Sequence, residues 1–457
     1  MLTACLAAAA PGGTAAGPAA VPATIAGPAA VAAPATANTD AGAKAGAERR
    51  VAPGEALQPL IDAATPGQVI RLAAGRHAGP LRIGRPLSLV GDAGAVLVGP
   101  GAGSVITIDA PDVRIEGLEV TGSGINLPAM DSAILVTQTA ARARIRSNRL
   151  LDNLFGVYLH GAAGSIVEYN LIVGRRDLRT AEAGNGVSIW NAPGAHVIGN
   201  AISHGRDGIF VKVSSHNVFA DNTMTQLRFA IHYMYTNDSR IVGNRSRGND
   251  VGLAIMFSDR LEIRDNVSDD DRDYGLLLHT TNDSRVIGNV VRAGPGHGGR
   301  EKCVFVYNAA RNLLQDNWFQ ACAIGIHFTA GSEGNTLSGN AFISNREQVK
   351  YVGTRYIDWS HEGRGNYWSD NPAYDLDGDG IADRPYRPND LADEILWMLP
   401  ATKALIASPA VQVVRWAQAR FPALYPGGVI DSAPLMRPVR VPAPASAPAS
   451  APAPASP

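Results

Sequence analysis

Apolar and polar residues alternate in short bursts along most of the chain: GVYLH from Gly156, GVSIW from Gly186, GIFVK from Gly208, GLAIM from Gly252 and GIHFT from Gly325. A period of two over four or five residues predicts half-buried strands. The bursts keep step with Asn at positions 148, 170, 200, 222, 244, 266, 289, 317 and 340, at intervals of 22, 30, 22, 22, 22, 23, 28 and 23. A repeat of about 22 residues with two or three short strands predicts a right-handed parallel β-helix, one coil per repeat. A leucine-rich repeat is the competing solenoid, but the Leu spacing does not fit it. Asn tolerates the left-handed backbone of a tight turn, and its amide both donates and accepts. Asn stacked above Asn is therefore expected to form a structural ladder, not a row of catalytic amides.

Aligned on Asn, the strand about eight residues later buries Val157/Leu159, Val187/Ile189, Ile209/Val211, Ile231/Tyr233, Leu253/Ile255, Leu276/Leu278, Val304/Val306 and Ile326/Phe328. These inward pairs leave two columns facing out. The first reads Tyr158, Ser188, Phe210, His232, Ala254, Leu277, Phe305, His327; the second reads His160, Trp190, Lys212, Met234, Met256, His279, Tyr307, Thr329. Neighbouring coils are about 4.8 Å apart, so Met234 and Met256 are expected to adjoin, with His279 above and His232 beside. Thioethers favour Cu(I) over hard cations, and imidazole adds a compatible nitrogen. The set His232, Met234, Met256 and His279 thus predicts a copper site. The plainer alternative is an apolar ridge covered by a loop or a partner. The two long intervals place extra residues near 175–184 and 294–301, which are expected to wall a groove together with Trp190, Lys212 and Tyr307.

Composition narrows the classes. Forty basic residues against 41 acidic give no electrostatic case for nucleic acid, and no run of 18 apolar residues occurs. Residues 1–49 are Ala/Pro-rich and expected to be a disordered leader, and 439–457 a disordered tail. Leu2-Thr3-Ala4-Cys5 resembles a lipidation box, although no charged and apolar segment precedes Cys5. Residues 50–370 are expected to form the solenoid, with GEALQPLIDAAT (54–65) as a short helical cap. Residues 390–438 are expected to be a helical segment that caps the last coil or docks a partner.

Between them, 371–389 contains DLDGDGIAD. Asp375, Asp377, Asp379 and Asp383, with the Ile381 carbonyl, match the front of a calcium loop. Position twelve is Tyr386, not a bidentate Glu, and an Asx-rich turn is the alternative. Cys303 and Cys322 lie on successive coils in different columns, which favours buried thiols over a disulfide. The outward columns hold no carboxylate. This argues against the rival class, a polysaccharide-binding or -modifying β-helix enzyme, which needs an acid–base pair.

The segments FAIHYMYTND, GLAIMFSDRLEI, RDYGLLL, GNYWSDNPAYDLDGDGIADRPYRPNDL and SPAVQVVRWAQ resemble the NosD family of nitrous oxide reductase maturation proteins, over about 53–438. The resemblance implies a periplasmic β-helix of the carbohydrate-binding and sugar-hydrolase (CASH) type that is not itself an enzyme. It implies work beside an ABC transporter made of an ATPase and a permease. It also implies delivery of copper, or a sulfur species, from a copper-chaperone lipoprotein to apo nitrous oxide reductase. No GxxxxGK followed by Ser or Thr occurs, so ATP hydrolysis falls to a partner.

Overall fold

The structure, a computed structural model, describes residues 48–294, 302–329, 331–353, 355–389, 408–420 and 428–439. The Cys5 box, the segment 295–301, and residues 390–407 with Trp397 and Met398 lie outside the described residues.

Three long sheets of 13, 12 and 13 strands run the length of a right-handed parallel β-helix, and each coil contributes one strand to each sheet. All strand pairs in these sheets are parallel, as between Ile231 and Leu253 or Ile255 and Leu278. Every inward pair expected from the alternation is buried. The result is one continuous apolar core, from Val51 to Trp368. Helix Leu57–Ala63 closes the first coils by burying Leu57 and Ile61. The first strand, Glu48–Val51, begins inside the expected leader and pairs with Gln68–Leu72.

The Asn ladder is present and longer than expected. Asn148 donates its side-chain amide to Asn170, and the chain of bonds continues through 200, 222, 244, 266, 289, 317 and 340 to Asn366, at 2.8–3.1 Å. It ends on Asp431, whose Oδ2 accepts the Asn366 backbone N–H at 2.7 Å and the Trp368 indole N–H at 2.8 Å. One expectation is corrected. The left-handed residue is not Asn but its predecessor: Ser147, Tyr169, Gly199, Asp221, Gly243, Asp265, Gly288, Asp316 and Gly339 all have φ between 53° and 70°. The turn thus aims the following Asn inward, where its amide is spent on the ladder. Gly at 199 and 243 adopts this conformation without the Cβ clash that other residues bear there.

The far end also differs from a purely helical segment. Helix Pro409–Arg420 is present, but Gly428–Ile430 is a strand parallel to Tyr356–Asp358. Beyond it, Leu435 bonds Asn366, Met436 bonds Gly380 and Ala382 bonds Pro434. Residues 428–436 therefore complete the last coils. Cys303 and Cys322 are not separate buried thiols; they form a disulfide, with Cα atoms 5.6 Å apart. The sequence separation of 19 is shorter than one coil, so the two meet across a corner, not within one column.

Candidate functional site

The outer face of the 12-stranded sheet carries both outward columns in the expected register. Lys212 pairs with Met234, Met234 with Met256, Met256 with His279, and His279 with Tyr307. Four consecutive strands here are nine residues long: Asp207–Ser215, Phe229–Asn237, Val251–Asp259 and Tyr274–Asn282. Each turns sharply at the residue after the second column, where Val213, Tyr235, Phe257 and Thr280 have φ of 50–53°. Left-handed β-branched and aromatic residues cost on the order of 1–3 kcal/mol each, and such strain collects at functional positions.

That turn places rings beside the soft ladder. Tyr235 stacks on Phe257 at 5.0 Å, Phe257 meets His279 at 4.8 Å, and His279 meets Tyr307 at 4.9 Å. Tyr235 and Tyr307 are about half exposed, at 50% and 47%. Met256 packs against a small satellite cluster of Val251, Ala254 and Leu277. Burial lowers the His279 pKa, so its imidazole is neutral at pH 7, the form that binds a metal. Met234, Met256 and His279 thus occupy three successive rungs of one open ladder.

His232 faces a different environment. Its Nδ1 lies 2.9 Å from Oδ2 of Asp207, and Arg228 grips the same carboxylate through Nε at 2.8 Å and Nη2 at 2.6 Å. Burial opposes the Asp207 charge, but the bonds from His232 and Arg228 outweigh it and hold its pKa below the usual carboxylate value. An ionised carboxylate only accepts, so Nδ1 carries a proton, and Nε2 takes no part in this bond. Phe210 and Phe229 hold the ring edge-on at 5.0 and 4.8 Å. His232, Trp190 and Lys212 line a cleft of about 580 Å³, whose other wall is Leu127, Pro128 and Met130. Residues 175–184 do not line it. Tyr307 belongs to the ladder instead.

The groove was expected to lack a carboxylate; Asp207 corrects this. It opens its strand, ahead of the columns counted from Asn. The available signal was that Asp207 stands in register with Phe229, next to Arg228.

In the Asp-rich loop, carboxylate oxygens of Asp375, Asp377 and Asp383 approach within 4.8 Å of one another. Asp379 is not part of this cluster; it accepts the Ile381 N–H at 2.8 Å. Asp375 accepts the N–H groups of Gly378 and Gly380, and Asp383 that of Leu376. The Gly380 N–H bond leads in holding the Asp375 pKa down.

Residues 168–373 match the family model described as "Periplasmic copper-binding protein (NosD)". Two relatives are each named "Probable ABC transporter binding protein NosD". That of Stutzerimonas stutzeri is 40% identical over 376 residues, covering 80% of this chain and 86% of its own. That of Pseudomonas aeruginosa is 42% identical over 374 residues, covering 80% and 87%. Among solved structures, the Dettilon tailspike protein (gp208) aligns with TM-score 0.51 at 17% identity, over 64% of this chain and 63% of that one. The Azotobacter vinelandii mannuronan C-5 epimerase AlgE6 A-module aligns with TM-score 0.50 at 11% identity, over 68% and 92%. At these identities the two structures share the fold alone. The extent and identity of the matches to the two relatives are decisive: the chain belongs to the NosD family.

Proposed function

We propose that this protein receives Cu(I) in the periplasm and passes it on for the copper centres of nitrous oxide reductase, beside the permease and ATPase of an ABC transporter. A copper-chaperone lipoprotein is the donor in this reading, and a sulfur species is the alternative cargo. The observation that carries it is the register Met234–Met256–His279 on the outer, half-exposed sheet face. Two thioethers and a neutral imidazole on a strand-spaced ladder suit a soft monovalent ion. A donor set of only three, each partly exposed, suits an ion that must leave again. His232 stands one column away with Nε2 free of the Asp207 bond, and contributes second to the Met pair. Among the described residues of the C-terminal segment, helix Pro409–Arg420, with Val413 and Trp416 exposed, is the surface we assign to a partner.

Anaerobic Cu(I) titration with X-ray absorption tests the reading. Sulfur and nitrogen scatterers that disappear in Met234→Leu support it; an oxygen-only shell, or no Cu(I) uptake, removes it. For the Asp-rich loop we propose weak Ca²⁺ binding by Asp375, Asp377 and Asp383, which steadies the loop against the last coils. A melting temperature that does not rise in millimolar Ca²⁺ overturns that part.

A further inference from the structure

Apart from His232, the cleft carries chemistry that copper transfer leaves unused. At about 580 Å³ it falls within the range of small-molecule sites. Its floor is aromatic. Tyr158 stacks on His160 at 5.5 Å, His160 meets Trp190 at 4.7 Å, and Trp190 keeps 41% exposure. Its rim is cationic. Arg206 and Lys212 form no ion pair among the described residues, whereas Arg228 is neutralised by Asp207. Asn185, Ser188 and His232 add hydrogen-bonding groups at the edge of the floor. The Asp207 bond engages only Nδ1 of His232 and leaves Nε2 outside it, in a ring held edge-on by Phe210 and Phe229.

We infer that this cleft is a separate binding site for an anionic saccharide. A sugar ring presents an apolar C–H face to the exposed Trp190 ring and hydroxyls at its edge to polar groups. A uronate carboxylate then meets Arg206 and Lys212, the cleft cations that form no ion pair among the described residues. Nε2 of His232 hydrogen-bonds a hydroxyl. A nucleotide fits less well. Phosphate recognition relies on unspent backbone N–H groups at a helix N-terminus or nest, and here the strand N–H groups are committed to the ladder between coils. The two sites sit side by side on one sheet face: Lys212 is the last cleft residue of its column and Met234 the first soft one.

The test is calorimetric titration of the full chain with trigalacturonate, maltotriose as the neutral counterpart, and AMP. Saturable binding of trigalacturonate that weakens as salt rises is expected. Each substitution removes a charge-assisted hydrogen bond to the carboxylate, so Arg206→Gln and Lys212→Gln should each weaken binding by about tenfold or more. Both are changes of partly or fully exposed side chains, so the melting temperature should hold. Cu(I) stoichiometry should be unchanged in both, which separates this site from the metal ladder. Trp190→Ala should abolish the heat. Absence of saturable heat with trigalacturonate overturns the inference. So does equal binding of maltotriose, tighter binding of AMP, or indifference to both cation substitutions.

Discussion

Two ladders run along the same solenoid, one inside and one outside. Inside, Asn148 to Asn366 stack coil on coil, and each amide is both donor and acceptor to its neighbours. Outside, Lys212, Met234, Met256, His279 and Tyr307 stack in the same register, with side chains that the fold itself does not consume. One geometry therefore serves two ends. Repetition of a self-complementary residue closes into rigidity; repetition of a column without self-complementarity leaves valence available for a ligand. Changes inside should cost stability, and changes outside should cost binding.

The largest effect should come from removing the inner ladder's terminus. Deleting 428–438 withdraws Asp431 from Asn366 and Trp368 and strips the Tyr356–Asp358 strand of its partner. Hydrogen exchange should show the last coils opened, while deletion of 409–420 leaves them protected. Protection retained in both deletions would erase the distinction between a clasp and an appended helix.

Within the ladder, Asn244→Ala leaves the buried Asn222 donors without their acceptor and the Phe219 carbonyl without its donor. Unsatisfied buried groups cost about 1–3 kcal/mol each, so a loss of about 3–5 kcal/mol is expected in urea unfolding. A loss below about 1 kcal/mol would mean that side-chain stacking contributes little beside the strand ladders.

On the outside, Met234→Leu or Met256→Leu keeps volume and apolar character, so stability should change by less than about 1.5 kcal/mol. Cu(I) affinity should fall by about 100-fold, equivalent to about 2.7 kcal/mol. The double variant should be little worse, because both sulfurs serve one ion. Wild-type Cu(I) affinity in both single variants would reduce the ladder to a packing ridge.

His327 tests the comparison through pH. It stacks on Phe305 at 4.7 Å, and neither ring nitrogen has a hydrogen-bond partner among the described residues. Burial first, then the charges of Lys302 and Lys350, push its pKa down to about 4. The unfolded chain therefore takes up the proton first as pH falls. The contribution is intact above the ordinary His value near pH 6.5 and is lost between there and pH 4. With partial exposure discounted, the loss is about 1–2 kcal/mol. His327→Phe should flatten that part of the stability curve; an unchanged slope would assign it to other groups.

The smallest effect should be that of His232→Phe on copper. His232 is turned toward Asp207 and the cleft, so affinity should drop by roughly threefold, well under the change for either Met. A drop as large as that of Met234→Leu would merge the ladder and the cleft into one site.

Much of this was legible in the sequence, because the repeat supplies its own ruler. Counting from each Asn placed Met234, Met256 and His279 on adjacent rungs, and the inward pairs fixed which face they occupy. What escaped lies where that ruler does not reach. Asp207 precedes the counted columns, and its partners Arg228 and His232 lie on the next coil. The left-handed corner is occupied by Ser147, Tyr169 and Asp221 as well as by Gly, so composition does not mark it. Cys303 and Cys322 meet across a corner, at a spacing that matches no column. Residues 428–436 return to the solenoid over a long detour, and no local periodicity announces it.

The direction of the Asn ladder has a consequence for how the molecule comes into being. Each Asn donates toward the coil made after it, so a growing chain always exposes open donors on its newest coil. That tip is satisfied only by further growth. The process ends when Asp431, 65 residues beyond Asn366, arrives as an acceptor that needs no successor. The solenoid therefore behaves like a polymer with a built-in chain terminator. Its last rung is sealed only once the rest of the rod has been laid down.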